Sequence, residues 1–276
     1  MAAKGDAGGD GDRLRLKPAQ ALVLGVVQGP AELLPVSSSG HLVLLPELFR
    51  WSYRELDAET RKSFEVALHA GTACALLIVL RHEVAEALGE LDGARLVRHL
   101  LTFLPPGAAA FLFERRIEER LGSARSVAGA QVVAGVLLAA ADRAPAERER
   151  DSATALDALA LGVAQACALA PGVSRNGAML TAARALRYRR RAANELSRHA
   201  ALPIILAAAG LKGFRLWRRG MPPEIVGSFA LGALASFGST LLSSRLVSMV
   251  DDARSYLPFA AYRVVLGGIA LPRLSG

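Results

Sequence analysis

Long apolar runs alternate along this chain with short, Arg-rich polar stretches. The runs near 64–80, 127–141, 153–170, 201–211 and 225–244 carry almost no charge. A soluble helix of that length shows a charged face, whereas roughly 17–25 apolar residues can span the hydrocarbon of a bilayer. The pattern predicts helices near 19–34, 41–49, 63–81, 97–116, 126–142, 153–169, 177–187, 192–213, 224–247 and 256–271. Polar loops are expected at 50–62, 82–96, 117–125, 143–152 and 214–223. The expected fold class is all-α, a polytopic integral membrane helix bundle forming one domain over 18–276. Residues 1–17 are rich in Gly, Asp and Lys/Arg and read as a disordered polar tail. That stretch lacks the apolar core of a signal peptide.

Three predicted helices, 19–34, 41–49 and 177–187, are short and interrupted by Pro, Gly and Ser. Two of the interrupted segments repeat. Leu24-Gly25-Val26-Val27-Gln28, then Ala31, Val36, Ser37 and Gly40, return as Leu161-Gly162-Val163-Ala164-Gln165, then Ala168, Val173, Ser174 and Gly177. Every pair lies 137 positions apart, as Leu24 and Leu161 do, without a gap. The offset divides the chain into halves of about 18–142 and 153–276. Paired Gly/Pro-broken segments in corresponding halves point to an internal-repeat membrane fold whose broken helices meet at a central site. Irregular backbone at that depth survives only when buried in protein or lining a wet cavity.

Composition adds little until charge is considered. Of 276 residues, 52% are hydrophobic, close to an ordinary globular protein; mean hydropathy is +0.31. The formal net charge of +8 could suggest a nucleic-acid partner, but the basic residues sit between apolar runs and form no single patch. Juxtamembrane Arg facing lipid headgroups accounts for the excess, so membrane lipids are the expected partners and nucleic acid is not. Cys74 and Cys167 lie in apolar runs, offer no metal or disulfide spacing, and read as small buried residues.

The chemistry concentrates in the broken segments. Gln28 to His41 holds a carboxylate (Glu32), three hydroxyls (Ser37, Ser38, Ser39), Gly40 and an imidazole (His41), with apolar sequence on both sides. An ionisable residue inside a membrane is costly and marks a functional site by default. Ser37–Gly40 precedes an apolar run and reads as a helix N-terminus, whose N–H groups and dipole bind anions. Pro171 to Gly177 contains Ser174, Arg175, Asn176 and Gly177 before a second helix. Arg175 is the natural phosphate clamp, a fork of donors that stays charged when buried. Each residue alone has a bland reading, as a cap, a paired carboxylate or a buried histidine. Together they place too many polar groups in an apolar protein for structure alone.

Gln28–His41 resembles the first signature of the undecaprenyl-diphosphate phosphatase family, Gly-x-Thr-Glu-Phe-Leu-Pro-x-Ser-Ser-(Ser/Thr)-Gly-His. Pro171–Gly177 resembles its second, Pro-Gly-x-Ser-Arg-Ser-Gly. Phe64-Glu65-Val66, Leu104-Pro105 and Pro258-Phe259-Ala260-Ala261-Tyr262-Arg263 match in order, so the likeness covers nearly the whole chain. It implies spanning helices with two re-entrant broken-helix segments built from inverted repeats. It also implies a multi-pass enzyme of the bacterial cell (inner, plasma) membrane that cleaves a polyprenyl diphosphate to the monophosphate. That step recycles a carrier for cell-wall precursors, and abundant enzyme confers bacitracin resistance. By matching positions, Glu32, Ser38, His41 and Arg175 inherit catalytic roles; Ser37, Ser39 and Ser174 inherit phosphate contacts, with Gln28, Gly40, Asn176 and Gly177 beside them. The chain departs from the pattern at Ala31, Leu33 and Asn176, and at Arg198 and His199, where apolar residues are expected. The Ser39-Gly40-His41 step is also found in type 2 phosphatidic acid phosphatases, but no Arg-Pro dipeptide occurs and the position for their later His holds Thr181.

The expected mechanism is in-line attack at the terminal phosphorus. Ser38 is the candidate nucleophile, with His41 as its base and later as acid; attack by His41 or by water stays open. Glu32 would orient His41, activate water, or help hold a divalent cation (Mg or Ca) on the diphosphate; no organic cofactor is expected. The alternative is a transporter that flips polyprenyl phosphate, which needs Arg and helix dipoles but no nucleophile.

Overall fold

The computed structural model describes residues 16–89, 92–219 and 223–274, and among these there are twelve α-helices and no β-strand. The helices are α1 (Pro18–Leu33), α2 (Ser38–Leu48), α3 (Ala58–Val79), α4 (Arg81–Gly89), α5 (Gly93–Leu121), α6 (Ala124–Asp142), α7 (Ala155–Cys167), α8 (Arg175–Ala185), α9 (Arg190–Arg219), α10 (Pro223–Leu242), α11 (Arg245–Asp251) and α12 (Leu257–Arg273). Among the described residues, four stretches are long and apolar enough to cross a membrane: Ala58–Val79, Gly93–Leu121, Ala124–Asp142 and Ile225–Leu242. The chain is a multi-pass membrane protein.

Local sequence fixes the ends. Pro18 opens α1, where a missing N–H costs nothing. Asp57, Asp92 and Ser123 cap α3, α5 and α6 through side-chain oxygens, and Thr154 with Asp157 forms a capping box on α7. Helical structure extends further than the hydrophobic pattern predicts. The expected loop 82–96 contains α4 and the start of α5, and the expected helix 224–247 is two, α10 and α11. Arg81, Glu83 and Glu86 give α4 no apolar run, so it was invisible to hydropathy. The proposed tail falls largely outside the described residues. Leu16 is buried, however, and its carbonyl accepts from Ser228 Oγ at 2.8 Å, so the fold starts before Pro18.

The repeat is visible as geometry. Helices α1 and α7 begin 137 positions apart, and α2 and α8 both begin and end at that offset. Helix α1 packs along α10 as α7 packs along α5. A Cβ on Gly25 would meet the Gly232 carbonyl at 2.4 Å, and one on Gly162 the Leu101 carbonyl at 2.6 Å, so both contacts need glycine. Helices α6 and α12 pack along one another. Gly135 lies against Ala260 and Gly267 against Ala128, so as one chain advances the other recedes. At 11 residues each, α2 and α8 rise about 16 Å and cannot cross a hydrocarbon layer of about 30 Å.

Large apolar side chains point outward, among them Phe111, Leu112, Val133, Leu234 and Val265. Cys74 and Cys167, expected to be buried, are exposed too. The expectation borrowed a rule from soluble proteins. With lipid outside there is little drive to hide every apolar group, so apolar side chains face outward as well as forming the buried clusters around Leu138, Tyr188 and Tyr256 and around Phe64, Leu68 and Phe229.

Candidate active site

Two helical hairpins, α1–α2 and α7–α8, bring their tips together. Each second helix starts at a serine with positive φ, Ser37 (φ 72) and Ser174 (φ 52). A non-glycine residue seldom adopts this conformation. Each serine oxygen accepts from the backbone N–H three residues on, Gly40 at 3.2 Å and Gly177 at 3.1 Å. The next residues, Ser38 and Arg175, are therefore equivalent first residues of α2 and α8, and two helix dipoles with positive ends meet there.

Buried donors hold both turns. Gln131 Nε2 donates to the Val36 carbonyl at 3.0 Å. Arg263, fully buried, donates to the carbonyls of Gly172 at 2.9 Å and Pro35 at 3.4 Å, and through Nε to Gln131 Oε1 at 2.9 Å. Ser39 Oγ lies 3.2 Å from Ser37 Oγ and accepts from Gly172 N at 3.4 Å, a bond between the two hairpins.

Glu32, near the end of α1, sits at the junction. Its Oε2 accepts from Ser38 Oγ at 2.6 Å and from Gln28 Nε2 at 3.3 Å. Its Oε1 accepts from Arg175 Nη2 at 3.1 Å. Asn176 Nδ2 donates to the Leu33 carbonyl at 3.3 Å, and its Oδ1 accepts from Ser197 Oγ at 2.9 Å. A cavity of about 330 Å³ opens here, lined by Glu32, Ser38, Arg175, Lys62, Glu65 and His69 among others. A smaller one, about 50 Å³, reaches the same Glu32 and Arg175 from the far end of α3, past Leu76, Leu80 and Arg198.

Of the residues singled out from the sequence, Glu32, Ser37, Ser38, Ser39, Ser174, Arg175 and Asn176 line this cavity. Gly40 and Gly177 let their helices approach the centre: a Cβ would stand 2.5 Å from Gln131 Nε2 and Arg263 Nη1, respectively. Gln28 is fully buried behind Glu32. His41 is placed differently from expectation. Its Nδ1 donates to the Ser37 carbonyl at 2.7 Å, and its Nε2 accepts from Tyr262 OH at 2.7 Å with the rings stacked. Both nitrogens are engaged on the side away from the cavity, and the hydroxyl of Ser38 goes to Glu32. The expected Ser38–His41 pair is not formed, because the Ser38 hydroxyl is taken by Glu32 and both His41 nitrogens by Ser37 and Tyr262.

Sequence reasoning passed over His69. Its Nε2 stands 3.8 Å from Glu32 Oε2, and its Nδ1 donates to the Glu65 carbonyl at 2.7 Å. The signal was available. Lys62, Glu65, His69 and Thr72 recur at spacings of three and four along α3, one polar stripe on an apolar helix, and all four line the cavity. Arg198, expected at a span end or in the cavity, pairs with Asp251 at 2.6 Å and faces the smaller cavity. His199 lines a separate space with Arg95 and Arg98.

Comparison with known proteins gives this geometry a family. The family pattern described as bacitracin resistance protein BacA matches residues 21–269. The chain belongs to that family. It is 39% identical to the undecaprenyl-diphosphatase of Thioalkalivibrio sulfidiphilus (strain HL-EbGR7), over 91% of this chain and 97% of the relative. It is 36% identical to that of Geobacter metallireducens (strain ATCC 53774 / DSM 7210 / GS-15), over 91% and 96%. It is 35% identical to undecaprenyl-diphosphatase 2 of Stutzerimonas stutzeri (strain A1501), over 93% and 98%.

No group of three His, Cys, Asp or Glu side chains that could hold a metal occurs among the described residues. The donors present suit a cation only in part. Glu32 offers one carboxylate, already bonded to Arg175 and Ser38, so a Mg or Ca ion would need most of its oxygens from substrate phosphates and water.

Proposed function

We propose that this chain is a phosphatase of the bacterial cell membrane that hydrolyses undecaprenyl diphosphate to undecaprenyl phosphate and inorganic phosphate. Such an activity returns the lipid carrier to cell-wall synthesis and, in abundance, confers bacitracin resistance. The observation that carries the reading is the placement of Glu32 between the Ser38 hydroxyl at 2.6 Å and the Arg175 guanidinium at 3.1 Å. Binding an anion needs only Arg175 and the two helix N-termini. A carboxylate on a serine hydroxyl is what a nucleophile requires.

In this mechanism the prenyl chain lies along lipid-facing helices and the diphosphate enters the cavity beside α3. Arg175 leaves Glu32 for the terminal phosphoryl group and, with the dipoles of α2 and α8, spreads its developing charge. Ser38 Oγ attacks in line and Glu32 takes its proton. Glu32 replaces His41 in the role of base. His41 holds the α2 cap in shape through the Ser37 carbonyl. Water then releases phosphate from Ser38.

The test is phosphate release from undecaprenyl diphosphate by protein purified in detergent, with and without a chelator. Loss of release in Glu32→Gln, Ser38→Ala and Arg175→Ala is expected, as is acid-stable phosphoserine after rapid quench. Undiminished release in all three variants would overturn the assignment. The smaller cavity, which reaches the same ion pair from the other end of α3, favours a second reading as a flippase of polyprenyl phosphate. Lipid transfer across vesicles without phosphate release by folded wild type would select it.

A further inference from the structure

We infer that His69 is a second proton-transfer residue of this site, a catalytic residue that serves the departing phosphate and the incoming water. The inference rests on the phosphatase reading above and adds a group to it.

The geometry separates the two histidines near the site. The ring of His41 is spent on Ser37 and Tyr262. The side chain of His69 is 42% exposed and lines the cavity together with Glu32, Ser38 and Arg175. The Glu65 carbonyl can only accept, so Nδ1 of His69 carries a hydrogen in either charge state. The exchangeable proton is therefore that of Nε2. This atom faces Glu32 Oε2 at 3.8 Å, the oxygen that also receives Ser38 Oγ. The bond at Nδ1 fixes the ring, and Nε2 is left as the free functional atom beside the nucleophile and its base. The charged groups around it are Glu32 from α1, Arg175 from α8, Glu118 from α5, and Lys62 and Glu65 on its own helix. Lys62 is tied to Glu114 and Glu118.

The proton balance needs such a group. As the Ser38 Oγ–P bond forms and the bridging P–O bond breaks, the Ser38 proton goes to Glu32. Protonated His69 gives its Nε2 proton to the oxygen of the departing prenyl monophosphate. In the second half, water attacks the phosphoserine and its proton goes to neutral His69. The Ser38 Oγ–P bond breaks, and Glu32 returns its proton to that oxygen. Both groups regain their starting states, and the net reaction consumes one water. Glu32 alone would hold the Ser38 proton when the water must be deprotonated.

The experiment measures kcat and KM of the purified protein across the neutral pH range for wild type, His69→Gln and His69→Ala. His69→Gln should lower kcat by about a hundredfold with little change in KM, the scale of one acid–base group. It should also remove one limb of the wild-type pH profile. Added imidazole should restore part of the rate to His69→Ala, an effect that a packing defect does not produce. Wild-type kcat and an unchanged profile in His69→Gln, alongside inactive Glu32→Gln and Ser38→Ala, would overturn the role of His69 alone. Full activity of Ser38→Ala would instead overturn the underlying reading of the site. If neither His69 variant folds as a monodisperse species, partial unfolding rather than proton transfer is its contribution, and the inference fails.

Discussion

Ser38 Oγ and Arg175 Nη2 bond to the two different oxygens of one carboxylate, Glu32, at 2.6 and 3.1 Å. The carboxylate cannot serve both as base and as counter-ion to the clamp once a phosphate arrives. Substrate should therefore take Arg175 from Glu32 and free Glu32 for Ser38. Groups that act as one unit lose activity non-additively. Glu32→Gln and Ser38→Ala are each expected to cut kcat by at least about a hundredfold, and the double variant should be no worse than the poorer single. Independent, multiplying losses in steady-state phosphate release would show that they do not act together.

Much of this centre was legible because the chain spells it twice. The shared Ser and Gly at a fixed offset of 137 sit at the equivalent starts of α2 and α8, the shared Gln at equivalent positions within α1 and α7, and the segments do converge. What the pattern could not encode is which way each side chain turns. His41 was grouped with Ser38 by proximity in sequence, yet its partner is Tyr262, 221 positions away. Gln131 and Arg263, which hold the two turns, lie on α6 and α12 and enter through helix packing that no local period reports. His69 was hidden differently. One imidazole in an apolar run reads as part of a span until the stripe from Lys62 to Thr72 is noticed.

The glycines at the start of α2 and α8 make a prediction whose sign depends on space. In an exposed helix interior, Gly→Ala stabilises by about 1 kcal/mol. At Gly40 and Gly177 the new Cβ would stand 2.5 Å from Gln131 Nε2 and Arg263 Nη1. Both neighbours are buried and bonded, so overpacking of about 1–3 kcal/mol should win. Lower melting temperatures in detergent are expected for Gly40→Ala and Gly177→Ala, whereas Gly129→Ala on α6, with open space around it, should not melt lower. A rise in melting temperature at Gly177 would mean that Arg263 is free to move.

Arg263 has no carboxylate partner within ion-pair distance among the described residues. It is held by oxygen dipoles of Pro35, Gly172 and Gln131. Arg263→Met removes the charge but leaves three buried acceptors short of a donor, at about 1–3 kcal/mol each. A loss of several kcal/mol is expected, measured by denaturant or thermal unfolding in detergent. Arg263→Lys should recover only part, since an ammonium lacks the planar fork that reaches three oxygens. Equal stability of Arg263→Met and wild type would remove this residue from the frame of the site.

Beyond the membrane-spanning helices, Tyr188 ties the loop before α9 to the α7 N-terminus. Its hydroxyl donates to Asp157 Oδ2 at 2.9 Å, and the Arg148 guanidinium lies over its ring at 4.3 Å. Burial, then the hydrogen bond to Asp157 and the charge of Asp157, push its pKa up to about 12. In the unfolded chain a tyrosine titrates near 10, by the reference value. The folded form therefore keeps its proton longer. The stabilisation is complete below about 10 and is lost as pH climbs from about 10 to about 12. Tyr188→Phe cannot ionise, so the difference in melting temperature between wild type and Tyr188→Phe should shrink over that window. Other tyrosines and lysines titrate in both proteins and cancel in the comparison. Parallel melting curves through the alkaline range would mean that Tyr188 does not give up its proton there, and that Asp157 is held by Arg148 and Thr154 alone.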